Sequence, residues 1–282
     1  MNYLYSIAMG VLQGVTEFLP ISSSGHLTLF QYFFSPDQSA GETDMLFTIL
    51  LHFGTLLSVC LYYGKDILDM IQEFFLGLAA LFSRRGSSGR PPEARRLVLM
   101  IIVGTLPLFL VLLVKNVLDA AFNNVTFVSL ALIATGFLLF FSDRLARGHK
   151  TVRTASMKDA LVVGCVQAVA TLPGLSRAGS TISAGMLCGF DRSFAVRFSF
   201  LLSLPAVLGA NILEIADAAQ AGAFDASLLP IYLLGMAVAA VVGYFAIRLV
   251  NLLADKGKFG NFSYYCWAVG IISLVAGFLL KK

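Results

Sequence analysis

The sequence predicts an all-α polytopic membrane protein, and three observations carry that reading. Hydrophobic residues make up 58% of the chain and charged residues 13%, where soluble domains carry about 25% charged residues. Mean hydropathy is +0.83. Several apolar runs are continuous and reach the roughly 20 residues a helix needs to cross a bilayer. That continuity excludes a transmembrane β-barrel, whose strands alternate with period two.

In chain order, residues 2–34 form the first element, a helix that ends at Pro20 and restarts with Ser22, Ser23 and Ser24. Neither piece spans a bilayer together with its break, so a re-entrant hairpin is expected. Residues 45–63 make a first span, 65–82 an amphipathic or partly buried helix, and 83–96 a basic Gly/Ser/Pro-rich loop. Residues 97–114, kinked at Pro107, and 125–141 complete three spans, and residues 1–150 make a first repeat. Residues 151–282 repeat the plan: a hairpin over 157–188 broken at Pro173, then spans at 194–215, 228–249 and 262–280. The whole is one integral membrane domain.

Three spans are an odd number, so the second half starts on the opposite side from the first. An inverted-topology repeat follows, a plan that builds sites from discontinuous helices at the repeat interface. The positive-inside rule supplies an independent reading. The loops 83–96, 143–158 and 251–261 carry most of the Lys and Arg, whereas Asp37, Glu42, Asp44, Asp119 and Asp225 fall on the other side. Both termini and the mouth of the first hairpin are expected outside. The net charge of +4 is therefore a topology signal, and no nucleic-acid partner is expected. Met1 to Gly10 holds no Lys or Arg, unlike the basic start of a cleaved signal peptide. Cys60, Cys165, Cys188 and Cys266 stand singly in apolar sequence and read as packing residues.

The two breaks carry the chemistry. Gln13 and Glu17 lie one helical turn apart and present oxygens on one face. Glu17 alone could be a helix-end residue snorkelling to the interface; Gln13, the three serines and His26 argue for a site. Ser22, Ser23 and Ser24 cap a restarting helix whose amides can meet an anion. The second break, Pro173-Gly174-Leu-Ser176-Arg177-Ala-Gly-Ser180-Thr181, adds a guanidinium suited to phosphate oxygens. Ser180 and Thr181 could equally pack helices together. A carboxylate, an amide oxygen, an imidazole, hydroxyls and an arginine make a phosphoryl-transfer kit in lipid. Oxygen ligation that leaves room for phosphate suits Mg²⁺ or Ca²⁺, and a phosphorylated lipid is the natural substrate.

These motifs, Gln13-xxx-Glu17-Phe-Leu-Pro20-Ile-Ser-Ser-Ser-Gly25-His26 and Pro173-Gly174-Leu-Ser176-Arg177-Ala-Gly-Ser-Thr181, resemble the bacterial undecaprenyl-diphosphate phosphatase family associated with bacitracin resistance. The resemblance covers essentially the whole chain. Gln13 occupies the first position of the family's (E/Q)xxxE element, and Ala178 replaces the second serine of its PGxSRSxxT pattern. It implies hydrolysis of undecaprenyl diphosphate to the monophosphate, with Mg²⁺ or Ca²⁺, recycling the lipid carrier for cell-wall synthesis. Bacitracin would then be met only through the shared substrate.

The expected catalytic residues are Glu17, His26, Ser23, Ser176 and Arg177, with Gln13 and Glu17 holding the ion. Ser22, Ser24, Gly174, Arg177, Ser180 and Thr181 are expected to bind substrate. Aligned on their prolines, Ser23 and Ser176 are equivalent, so either can attack with His26 relaying the proton; a metal-bound water is the rival nucleophile. The nearness of His26 favours Ser23. Asp191, Arg192 and Arg197 are expected to form an ion-pair cluster, and Tyr264, Tyr265 and Trp267 to anchor at the interface; His52 could face the site, but a buried histidine bonded to a neighbouring helix is the expectation. The expected setting is the bacterial plasma (inner) membrane with the site opening to the periplasmic or outer face, and a homodimer is left open. A lipid flippase or secondary transporter is the alternative.

Overall fold

The computed structural model describes residues 2–34, 45–82, 92–114, 121–122, 124–221 and 228–279, and among these the regular structure is helical. Helix α1 (Tyr3–Phe18) starts at Asn2, whose side chain accepts from the Tyr5 amide. It stops two residues before Pro20, and α2 (Ser23–Phe34) restarts after the break. Helices α3 (Met45–Tyr62) and α4 (Gly64–Phe82) meet at 85°. The next span is interrupted at Leu106–Pro107 into α5 (Glu93–Thr105) and α6 (Leu108–Val111), as a ring without an N–H requires. Helix α7 (Val125–Leu145) precedes the second hairpin, α8 (Met157–Val169) and α9 (Arg177–Leu187). Then come α10 (Arg192–Ala221), α11 (Leu229–Asp255) and α12 (Phe262–Leu279).

Among the described residues, five helical stretches are long and apolar enough to cross a membrane, and the bent α3–α4 pair makes a sixth if counted as one span. The chain is therefore a multi-pass α-helical membrane protein. The acidic loop, Arg84, Arg85, Arg90, Lys115, Asp119, Asp225 and the terminal lysines lie outside the described residues.

Small residues set the packing. A Cβ on Gly10 would come within 2.6 Å of the Gly235 carbonyl oxygen, and one on Gly54 within 2.3 Å of that of Met236. Helices α1 and α3 thus lie backbone-close on α11. Similarly, a Cβ on Gly164 would meet the Gly104 carbonyl oxygen at 2.1 Å, locking α8 onto α5. Lipid offers helices little hydrophobic reason to associate, so such close backbone approach supplies the attraction. The ends of the second hairpin are tied by the bridge between Lys150 and Phe190, with Lys150 N donating to the Gly189 carbonyl oxygen at 2.9 Å.

Two expectations need correction. Arg192 pairs with Asp143, Arg197 forks onto Asp66 at 2.7 and 3.1 Å, and Asp191 caps the Phe194 amide, so these three do not form one cluster. Short-range sequence proximity hid partners on other helices. Of the four cysteines only Cys266 is buried; Cys60 and Cys165 are exposed, because a single apolar span hides which face meets lipid.

Candidate active site

The two hairpin breaks meet each other inside the bundle. A Cβ on Gly25 would lie 3.1 Å from Gly174 Cα, and one on Gly179 3.1 Å from Pro20 Cβ. Gly174 holds φ +89°, and any side chain there would strike the Val128 carbonyl oxygen at 2.4 Å; only glycine tolerates both conditions. Thr135 of α7 fixes this turn from the side. Its hydroxyl donates to the Gly174 carbonyl oxygen and accepts from the Ser176 amide, each at 3.2 Å.

Glu17, at the end of α1, is the centre of the site and is 8% exposed. Gln13 Nε2 donates to its Oε2 at 3.0 Å and Ser23 Oγ donates to the same oxygen at 2.7 Å. Arg177, first residue of α9, forms an ion pair with its Oε1. The structure thus brings Gln13, Glu17, Ser23 and Arg177 together across the hairpins.

The helix caps alter the correspondence drawn from the prolines. Ser22 Oγ accepts from the Gly25 amide at 3.2 Å, and Ser176 Oγ accepts from the Gly179 amide at 3.0 Å. By role, Ser22 matches Ser176, and Ser23 matches Arg177 as the residue that opens each restarted helix. Both opening residues reach Glu17, whereas both capping hydroxyls are turned to backbone. Ser22 adopts φ 72°, a left-handed conformation costly for a residue with a Cβ and concentrated at functional turns.

His26 stands apart from Ser23. Its Nδ1 donates to the Ser22 carbonyl oxygen at 2.7 Å, and Nε2 lies 2.8 Å from the Tyr265 hydroxyl. With the proton on Nδ1, Nε2 of the neutral ring accepts from that phenol. The two rings also stack, centroids 5.6 Å apart and 11° from parallel. Ser24 Oγ is 3.3 Å from Ser22 Oγ. Thr181 is bound to the Arg177 carbonyl oxygen at 2.8 Å and to Ser199 at 2.5 Å, tying α9 to α10. Ser180 is buried on the same helix, its amide bonded to the Ser176 carbonyl oxygen at 2.8 Å.

Two residues near the site, Thr135 and Tyr265, escape a reading of the sequence. Thr135 gives no local signal in its span. Tyr265 reads as an interfacial anchor until the fold brings it to His26. His52, expected to bond to a neighbouring helix, instead bonds within α3, through Nδ1 to the Thr48 carbonyl oxygen at 3.0 Å, and lies within electrostatic reach of Glu17.

Two polar atoms around Glu17 are buried and lack any partner: Gln13 Oε1, an acceptor, and Arg177 Nη1, a donor. Buried polar groups are as a rule satisfied; Gln167, Asn211, Ser263 and Trp267 also carry unpartnered buried atoms, but the pair beside Glu17 offers a donor and an acceptor to a ligand of both signs. No group of three or more His, Cys, Asp or Glu forms a metal cage among the described residues. One carboxylate and one amide oxygen nevertheless fit Mg²⁺ or Ca²⁺ where substrate phosphates supply the remaining oxygens.

Fold and site together define an integral-membrane protein with a buried polar site at the junction of two broken helices. The family model for bacitracin resistance protein BacA matches residues 6–272, and the chain belongs to that family. Among its relatives are the undecaprenyl-diphosphatases of Halothermothrix orenii, 40% identical over 95% of this chain and 96% of the relative, and of Methanosphaera stadtmanae, 38% identical over 99% and 100%. That of Alkaliphilus metalliredigens is 36% identical over 99% and 100%.

Proposed function

We propose that this protein hydrolyses undecaprenyl diphosphate to undecaprenyl phosphate and inorganic phosphate, recycling the carrier for cell-wall synthesis. The observation that carries the reading is the orphaned pair beside Glu17: Arg177 Nη1 seeks an anion and Gln13 Oε1 a cation. A diphosphate with its divalent ion provides both. Gln13 and Glu17 would hold Mg²⁺ or Ca²⁺, which when bound neutralises charge on the diphosphate.

The remaining chemistry belongs to the chain. Ser23 is the nucleophile, because its hydroxyl already donates to Glu17 Oε2 and a carboxylate in that position takes the proton as attack begins. Ser23 Oγ forms a bond to the terminal phosphorus, and the bond from that phosphorus to the bridging oxygen breaks. Undecaprenyl phosphate leaves, and a water then hydrolyses the phosphoserine. Arg177 turns from Glu17 to the phosphoryl oxygens as charge moves through the transition state. His26 lies three residues after Ser23 on one face of α2, and its Nε2, an unprotonated acceptor in the neutral ring, takes a proton from the water that hydrolyses the phosphoserine. Ser22 and Ser176 keep the restarted helices capped, so Ser176 is no longer an equal candidate for attack.

The inverted repeat and the orientation belong to the same proposal. Matching caps at Gly25 and Gly179 support the repeat, as does the packing of each hairpin's first helix on a span from the other half through Gly10 and Gly164. Basic residues at 144–158 and 256–258 support a plasma-membrane orientation with those turns inside and the site opening outward. Purified protein given undecaprenyl diphosphate is expected to release phosphate with Mg²⁺ or Ca²⁺ and to stop when the ion is chelated. Folded protein that moves the lipid across vesicles without releasing phosphate would overturn the reading.

A further inference from the structure

A cavity of about 430 Å³ lies just beyond the first hairpin break, within the roughly 300–1,000 Å³ of small-molecule sites. One wall is Val15, Leu19 and Ile21, the end of α1 and the residue that precedes Ser22. The facing wall is Leu253 of α11 with Phe262 and Tyr265 of α12. Its polar residues other than Tyr265 are Lys258 and Asn261, on the turn between those helices.

The cavity adjoins the site at two points. Ile21 adjoins Ser22, and Tyr265, which lines the cavity, turns its hydroxyl to His26 Nε2 at 2.8 Å. Its direction is fixed by the packing of α1 on α11. Gly14 of α1 lies against Gly243, so Leu253 is roughly 15 Å further along the axis at 1.5 Å per residue. The cavity therefore extends from the break toward the α11–α12 turn, opposite to the end at which α1 begins.

We propose that this cavity holds the isoprenoid chain proximal to the diphosphate, and so selects substrates by tail. The proposal rests on the phosphatase reading. A lipid whose diphosphate reaches Ser23 and Arg177 from the outer face points its chain toward the opposite leaflet, which is where the cavity runs. An aliphatic and aromatic lining matches a branched hydrocarbon, and Tyr265 joins the two halves of the ligand site. Because the chain is gripped beside the reacting phosphate, tail binding also holds the head in place.

The test compares undecaprenyl diphosphate with dimethylallyl diphosphate, whose single isoprene unit ends near the break. Leu253→Trp fills the cavity, and Leu252→Trp, at an exposed neighbour outside its lining, is the control. Leu253→Trp is expected to raise KM for undecaprenyl diphosphate about tenfold or more by removing binding common to ground and transition states. Turnover of dimethylallyl diphosphate should stay within about twofold of wild type, and it reports that the variant is folded. Leu252→Trp should leave both substrates unchanged. Equal losses on both substrates with Leu253→Trp, or no loss on either, overturn the tail site. Wild-type protein that releases phosphate from neither substrate overturns the phosphatase reading itself.

Discussion

Two serines with similar sequence surroundings do different work because of what their hydroxyls face. Ser176 Oγ accepts from the Gly179 amide and serves as a helix cap. Ser23 Oγ donates to Glu17 and leaves its lone pairs for an electrophile. Ser23→Ala is expected to lower phosphate release by about 10²-fold or more, as removal of a nucleophile does, with little change in thermal stability. Ser176→Ala should instead cost about 1 kcal/mol of stability through the lost cap while retaining most turnover. Parallel phosphate-release and melting measurements check both; the reverse pattern would return the assignment to Ser176. The sequence showed every one of these groups but not the partner of each. Gln13, Glu17, Ser23 and Arg177 were legible as polar residues in the wrong medium, whereas Tyr265 was not, because tyrosines near a span end are ordinary there.

At the scale of elements, the two hairpins were legible because proline and hydroxyl residues break and restart helices by local rules. Their mutual contact was not, since it depends on glycines that only matter once a neighbour arrives. Gly174 is the sharpest case. Its φ of +89° and the Val128 carbonyl oxygen 2.4 Å from any Cβ leave a side chain no low-energy arrangement. Gly174→Ala is expected to cost more than about 1–3 kcal/mol of stability and to reduce activity by separating Arg177 from Glu17. Thermal unfolding in detergent checks the first part; an unchanged midpoint would mean that the turn is softer than its contacts indicate. The 85° bend between α3 and α4 was also outside the reach of a local reading. Apolar composition foretold a helix on each side of Gly64 but not the angle. Ion pairs from Asp66 to Arg197 and from Glu73 to Arg95 tether α4 in that position.

At the scale of the molecule, composition alone dictates a multi-pass helical protein, and charge asymmetry gives the orientation proposed here. The first follows from bulk transfer energies and the second from the Lys and Arg bias of the loops, which is why both can be read without knowing any contact. The arrangement of spans around the hairpins requires the close glycine approaches described above and is set by tertiary packing. Orientation is testable with a chain whose native cysteines are replaced and Thr154→Cys introduced in the exposed turn before α8. A membrane-impermeant thiol reagent is expected to label it in inverted vesicles and not in intact cells; the opposite result would turn the site to the cytoplasm.

The proposed mechanism rests on Ser23 as the covalent nucleophile, held by one oxygen of Glu17 while Arg177 pairs with the other. Protein mixed with undecaprenyl diphosphate labelled in its terminal phosphate and quenched within a turnover should carry label on Ser23, and mutation of Ser23 to Ala should abolish both label and turnover. Full turnover by Ser23→Ala, with no phosphate trapped on the protein, would contradict it.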